Sequence, residues 1–122
     1  MLDTYAGGQA ELALGMLAPD VTWRGTVGGL EENRVYEGRQ AVAAGLAESL
    51  GTWEDLTLEV EDVIAAGDSV LVYLHEVARF GDSDVLIESR TAVVFALADG
   101  SVVEVRAYLD RAAAREAIGL GA

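Results

Sequence analysis

The sequence contains no cysteine, which excludes disulfides, thiolate nucleophiles and zinc-thiolate sites and leaves no trace of the compartment's redox state. Lysine is absent too, since all eight basic residues are arginine. Schiff-base chemistry and the lysine of a phosphate-binding P-loop are therefore removed. Proline occurs once, at Pro19, and no repeat or low-complexity stretch marks a linker, so residues 1–122 read as a single domain. No run approaches the ~18 uninterrupted apolar residues of a membrane helix. Met1 to Gln9 lacks the basic segment and apolar run of a secretory signal, and the expected location is cytoplasmic. Positive charge is scarce: 21 acidic against 8 basic residues give a net charge of -13. Such a chain repels phosphate backbones and anionic lipid, so neither nucleic acid nor membrane is an expected partner.

What is present is apolar. Of the 122 residues 52% are hydrophobic, enough for one core that buries roughly two-thirds of the unfolded surface. Ala, Gly, Val and Arg are frequent against three Ile and one Asn, a usage that fits a GC-rich bacterial genome. Glu11 to Leu17 reads as a short helix that stops at a turn over Ala18-Pro19-Asp20, because proline disfavours helix in the residue before it. A strand follows over Val21 to Gly25, then a long loop from Thr26 to Glu37 with two glycines, Gly28 and Gly29. Val42, Leu46 and Leu50 recur every four positions, predicting an amphipathic helix from Arg39 to Leu50 stopped by Gly51.

Four strands are predicted next, over Leu56 to Ile64, Val70 to Phe80, Val85 to Leu97 and Ser101 to Leu109. Asp99-Gly100 is a hairpin signal, since both turn positions need positive φ. Three consecutive antiparallel pairings result. Asp110 then precedes an alanine-rich helix, Arg111 to Ile118, as its N-cap, with Gly119 as the stop. Helices flanking an antiparallel sheet make an α+β domain.

Several pieces in order carry a family resemblance: Leu17-Ala18-Pro19-Asp20-Val21-Thr22-Trp23, Tyr36-Glu37-Gly38-Arg39 opening a helix, and Gly67-Asp68-Ser69-Val70. Ala98-Asp99-Gly100-Ser101-Val102-Val103 and Tyr108-Leu109-Asp110-Arg111 complete the set. Over about residues 8 to 118 the chain resembles SnoaL-like proteins of the nuclear transport factor 2-like superfamily. The resemblance implies a cone of strongly curved antiparallel sheet with helices packed on the concave side, and a homodimer formed through the outer face. Val102, Tyr108, Tyr73 and Val77 would supply apolar surface to that interface. Only 18 residues precede Pro19, so the first helix is expected to be shortened and the cone partly uncapped. Relatives include polyketide cyclases, ketosteroid isomerase and limonene epoxide hydrolase, so the fold does not name the reaction.

Strand alternation sorts the candidate site. In the last strand Val103, Val105, Ala107 and Leu109 would face the cone, with Val102, Glu104, Arg106, Tyr108 and Asp110 outside. The epoxide hydrolases' aspartate and arginine correspond by resemblance to Ala107 and Leu74, and their third group to Glu76. That mechanism is therefore not expected here. Between Val70 and Phe80 the row Val70, Val72, Leu74, Glu76, Ala78 and Phe80 is broken by one carboxylate. If the row faces the cone, desolvation raises the pKa of Glu76 and suits it to general acid or base work. A bulge or rim position that lets it reach water or an arginine is the competing reading.

His75 falls on the other face and cannot share a pocket with Glu76 unless a bulge intervenes; an outer-face or interface position competes with a functional one. Ser89, Thr91, Val93 and Phe95 would line the inner wall with two hydroxyls and an aromatic ring, although Thr also serves as ordinary strand filler. The resemblance adds Trp23 and Tyr36 to the lining, while Trp53 reads as a core lid. Glu88, Arg90, Glu104 and Arg106 are explained by cross-strand pairing on the outside. Asp82-Ser83-Asp84 offers too few ligands for calcium. No metal or cofactor is expected. The sequence thus points to a cofactor-independent acid-base enzyme of the cyclase or isomerase kind, acting on a small lipophilic, polyketide- or terpenoid-like molecule. Its rivals are a non-catalytic binder of such a ligand and a dimeric interaction domain with a filled core.

Overall fold

The computed structural model describes residues 16–29, 32–80 and 84–121, of which 46–56 and 80 are described by backbone alone. In chain order the elements are β1 (Leu17–Val27), β2 (Val35–Glu37), α1 (Arg39–Thr52), β3 (Trp53–Ala66), β4 (Ser69–Phe80), β5 (Leu86–Ala98), β6 (Ser101–Tyr108) and α2 (Arg111–Ala117). They form an α+β fold around one curved, unclosed six-stranded sheet in the order β2-β1-β6-β5-β4-β3. The three hairpin pairings β3-β4, β4-β5 and β5-β6 are antiparallel as expected, and β1 joins β6 in parallel. No helix among the described residues is long and apolar enough to cross a membrane.

Turn chemistry fixes the hairpins. Asp99 and Gly100 have φ of 52° and 80°, the double left-handed geometry that lets β5 and β6 join through two residues. Three boundaries differ from expectation. Ala18-Pro19-Asp20 lies within β1 rather than in a turn. β1 pairs with β6 at Leu17 and again from Thr22, with a register shift between, and Pro19, which has no N–H to donate, sits in that irregular stretch. The expected loop Thr26 to Glu37 contains β2, held by pairing with β1 from Thr22 to Arg24. The helix runs through Gly51 to Thr52, where pairing of Trp53 with Phe80 takes over the backbone. The expected helix from Glu11, the shortened N-terminal cap and most of Asp82-Ser83-Asp84 lie outside the described residues, as do the side chains of Leu46, Leu50, Trp53 and Phe80.

Each face of the sheet has its own apolar cluster. On the inner face Leu17, Val21, Val93, Val102 and Val105 pack with Val42 of α1, and Trp23, Tyr36, Leu74, Phe95 and Ala107 extend the cluster. On the outer face Leu71, Ala92 and Tyr108 pack with Ala114 of α2, flanked by Val27, Ile64, Tyr73 and Val94. Two expectations about β6 change here. Val103 is an extra residue in the pairing with β5, so Val102 is buried inside and not available to an outer interface. Tyr108 is outside but only 8% exposed, because α2 covers it.

The docking of α2 begins at its cap: Asp110 has extended backbone and its Oδ1 accepts the Ala112 N–H at 2.9 Å. Loss of such a cap costs about 1 kcal/mol. Asp110→Ala should therefore lower the melting temperature by about 3–5 °C without altering ligand binding. An unchanged melting temperature would show that the cap contributes nothing.

Candidate functional site

Cross-strand pairing brings the expected lining residues onto one face. Directly opposed residues share a face, and Tyr36, Trp23, Val105, Phe95 and Val70 form one such row across five strands. Ala107, Val93 and Val72 form the next. Leu74 stands opposite Thr91, and Glu76 opposite Ser89. Trp23, Tyr36, Leu74, Ser89, Thr91, Val93, Phe95, Val105 and Ala107 thus share the inner face with Glu76, whereas Val103, also expected there, is the extra residue of the β5–β6 pairing. Tyr36 is pressed against α1 where the helix has no side chain: a Cβ on Gly45 would lie 2.8 Å from Tyr36 Cε1.

Glu76 is half-buried in a row whose other described members, Val70, Val72, Leu74 and Ala78, are apolar. Burial raises its carboxyl above the usual carboxylate range, and a side-chain hydrogen bond with Thr91 works in the opposite direction. Thr91 is itself buried, at 7% exposure. A threonine hydroxyl donates to a charged carboxylate, which is why Thr91 favours the ionised form of Glu76. The result is an oriented carboxyl group that holds its proton to higher pH than an exposed glutamate. Toward the β3 edge the inner face opens to solvent, where Val60 and Val63 are 48% and 57% exposed.

Charged neighbours are on the other side. His75 Nδ1 lies 3.9 Å from Glu59 and Nε2 lies 3.1 Å from Glu88 Oε1. The second approach is short but off the line of a hydrogen bond, leaving Nε2 buried and unbonded. Arg90 contacts Glu88 at 3.1 Å and Glu61 at 3.8 Å, and Arg24 contacts Glu104 at 3.6 Å. His75 therefore does not meet Glu76. Among the described residues no group of three or more His, Cys, Asp or Glu side chains is placed to hold a metal ion.

Sequence reasoning missed Leu58, which faces Glu76 from β3, and Arg111, which spans three strands on the outer face. Leu58 is displaced by a bulge that no residue type announces. Arg111 had a signal, as the first helical residue after a cap, next to a sheet face rich in carboxylates.

The raised carboxyl of Glu76 has a consequence for stability. Its native pKa lies above the unfolded value of about 4.3, so the native state binds more protons than the unfolded one between those two values. The stabilisation by the protonated form is complete below about pH 4 and is lost as pH rises through the native pKa. Glu76→Gln, which cannot ionise, should match wild type in acid and become progressively more stable than wild type toward neutral pH. Melting curves from pH 4 to 8 that keep a constant offset between the two proteins would contradict the burial of this group.

Comparison with known proteins follows this geometry. A family model described as the SnoaL-like domain matches residues 1–105. No curated protein matches the chain in sequence at a significant level. Among solved structures, a protein described as a SnoaL-like polyketide cyclase from a Jannaschia species is 22% identical with a TM-score of 0.75, covering 98% of this chain and 86% of its own. A protein of ketosteroid isomerase-like fold from Catenulispora acidiphila, solved with trimethylamine, is 14% identical with a TM-score of 0.72, covering 97% and 88%. TerC, co-crystallised with polyporic acid, is 22% identical with a TM-score of 0.69, covering 96% and 93%.

Proposed function

The chain belongs to the SnoaL-like family, and on that premise we propose that it is a cofactor-independent acid-base enzyme for a small lipophilic molecule bound on the inner face, with Glu76 as the proton carrier. The observation that carries this reading is a single carboxyl with a raised pKa among apolar side chains, oriented by Thr91. An ionised group in such a setting costs stability, and that cost is tolerated more readily at a working site than in a structural core. A solved neighbour holding trimethylamine and another holding polyporic acid support small-molecule binding on this fold.

In the proposed step the Glu76 carboxylate takes a proton from a carbon or hydroxyl acid of the ligand. It then returns that proton to another atom of the same ligand, so the product is an isomer or a cyclised form with no net change in composition. Desolvation makes the carboxylate a stronger base than an exposed one, and the Thr91 hydroxyl keeps one oxygen aimed. Leu74, Val93, Val105 and Ala107 would pack the ligand body, and Trp23, Tyr36 and Phe95 its far end. Ser89 supplies a second hydroxyl beside the carboxyl.

A non-catalytic binder is the second reading, favoured by the apolar Leu74 and Ala107 at positions where epoxide-hydrolysing relatives are expected to be charged. Dimerisation belongs to the proposal as well, with Tyr73 and Val77 remaining from the outer-face set. Sedimentation at micromolar concentration reads it directly, and a species of monomer mass alone would remove it.

Native mass spectrometry of freshly purified protein tests the main reading. A retained lipophilic mass is expected, with Glu76→Gln retaining the same mass while turnover of that compound falls by about two or more orders of magnitude. Turnover unchanged in Glu76→Gln removes Glu76 as the proton carrier, retention without turnover leaves the binder, and an empty chain that accepts no lipophile leaves a domain with a filled core.

A further inference from the structure

The outer face carries a brace directly behind Glu76. Arg111, the first residue of α2, lays its guanidinium over the Tyr73 ring with Cζ 4.5 Å from the centroid. Its Nε donates to the Thr91 carbonyl at 3.2 Å, and its Nη2 donates to the Leu74 carbonyl at 3.1 Å and to Glu61 Oε1 at 2.6 Å. Leu74 and Thr91 are a directly opposed pair of β4 and β5, so one side chain holds both strands at a single rung. Their own side chains stand on the inner face, next to Glu76. Glu61 is the unpaired residue at a register shift of β3, so the same fork reaches a third strand.

Guanidinium geometry suits this task. Its donors lie in a rigid plane and can hold two carbonyls at a fixed separation, whereas an ammonium is a mobile point charge. Stacking on Tyr73 fixes the plane. Backbone carbonyls have a second lone pair free beyond their ladder bonds, which is what Arg111 uses.

We propose that Arg111 is a positioning residue, which sets the Thr91 hydroxyl against the Glu76 carboxyl by clamping the Leu74–Thr91 backbone pair from the opposite face of the sheet. The inference rests on the reading of Glu76 as proton carrier. Its influence passes through the backbone and not through charge. The described residues around Glu76 on β3, β4 and β5 are Leu58, Leu74, Ala78, Ser89 and Thr91, none of them ionisable. Glu59, Glu61, His75, Glu88 and Arg90 all take part in the outer-face network.

The test is a carbon-13 NMR titration of the Glu76 carboxyl in the full chain, for wild type, Arg111→Lys, Thr91→Val and the double variant. A hydrogen bond from Thr91 favours the charged carboxylate, so Thr91→Val should raise the titration midpoint by about one pH unit. Arg111→Lys, which keeps the charge and loses the fork, should raise it in the same direction. The double variant should move no further than Thr91→Val, because both changes remove one interaction. Glu61→Gln, which breaks only the ion pair, and Asp110→Ala, which weakens α2 without touching either carbonyl, should leave the midpoint at its wild-type value.

The proposal is overturned if Arg111→Lys leaves the midpoint unchanged, if its shift adds in full to that of Thr91→Val, or if either control shifts it equally. A wild-type midpoint in the range of an exposed glutamate would instead remove Glu76 as a raised proton carrier. The cycle would still report whether Arg111 acts through Thr91.

Discussion

Two extra residues, Glu61 in β3 and Val103 in β6, decide which side chains share the inner face. Counting back from the Ala66/Ser69 turn pair would set Glu59 opposite Glu76, two carboxylates on one apolar wall. The shift at Glu61 sets Leu58 there instead and sends Glu59 to His75 on the outer face. Counting back from Ala98/Ser101 would likewise set Glu104 beside Phe95, and the shift at Val103 puts Val105 there. A one-residue slip exchanges every side chain between faces. Without these bulges the inner wall would hold four carboxylates, Glu59, Glu61, Glu76 and Glu104, that burial and mutual repulsion drive to protonate or to leave. With them no second carboxylate stands beside Glu76 on the inner face among the described residues.

The two faces are stabilised by different means. Inside, Val21 and Val105 are fully buried and α1 closes over them through Val42. Outside, Leu71 and Tyr108 lie under α2, and the remaining surface is laced by Arg24–Glu104, Arg90–Glu88 and Arg111–Glu61. Exposed pairs of this kind add little to stability, because water screens them. Their arrangement matters more than their energy, because charge that would disturb the inner wall is gathered where water can reach it. Arg111 is the member of this network whose hydrogen bonds extend to the backbone beneath the site.

Much of this was legible where period and turn chemistry are local. The alternation of Val72, Leu74, Glu76 and Ala78 was enough to separate Glu76 from His75, and Asp99-Gly100 marked its hairpin. Asp110 was readable as a cap for the same reason. The rest depends on partners distant in sequence. β2 is three residues in a glycine-rich stretch and exists through pairing with β1. Pro19 looks like a turn residue and sits in the irregular opening of a strand that runs parallel to β6. Val102 and Val103 exchange places because of a bulge, which removed one residue from the expected dimer surface, and α2 covered another. The fold itself is shared by proteins of different activity, so the reaction is carried by Glu76 and its surroundings and not by the architecture.

The register around Glu76 is tested most directly by cross-strand nuclear Overhauser contacts between β3 and β4. Backbone contacts between Leu58 and Glu76, together with contacts between Glu59 and His75, are the result this account predicts. Contacts between Glu59 and Glu76 would contradict it, because they would place a second carboxylate on the inner wall and end the isolation on which the proposed chemistry depends.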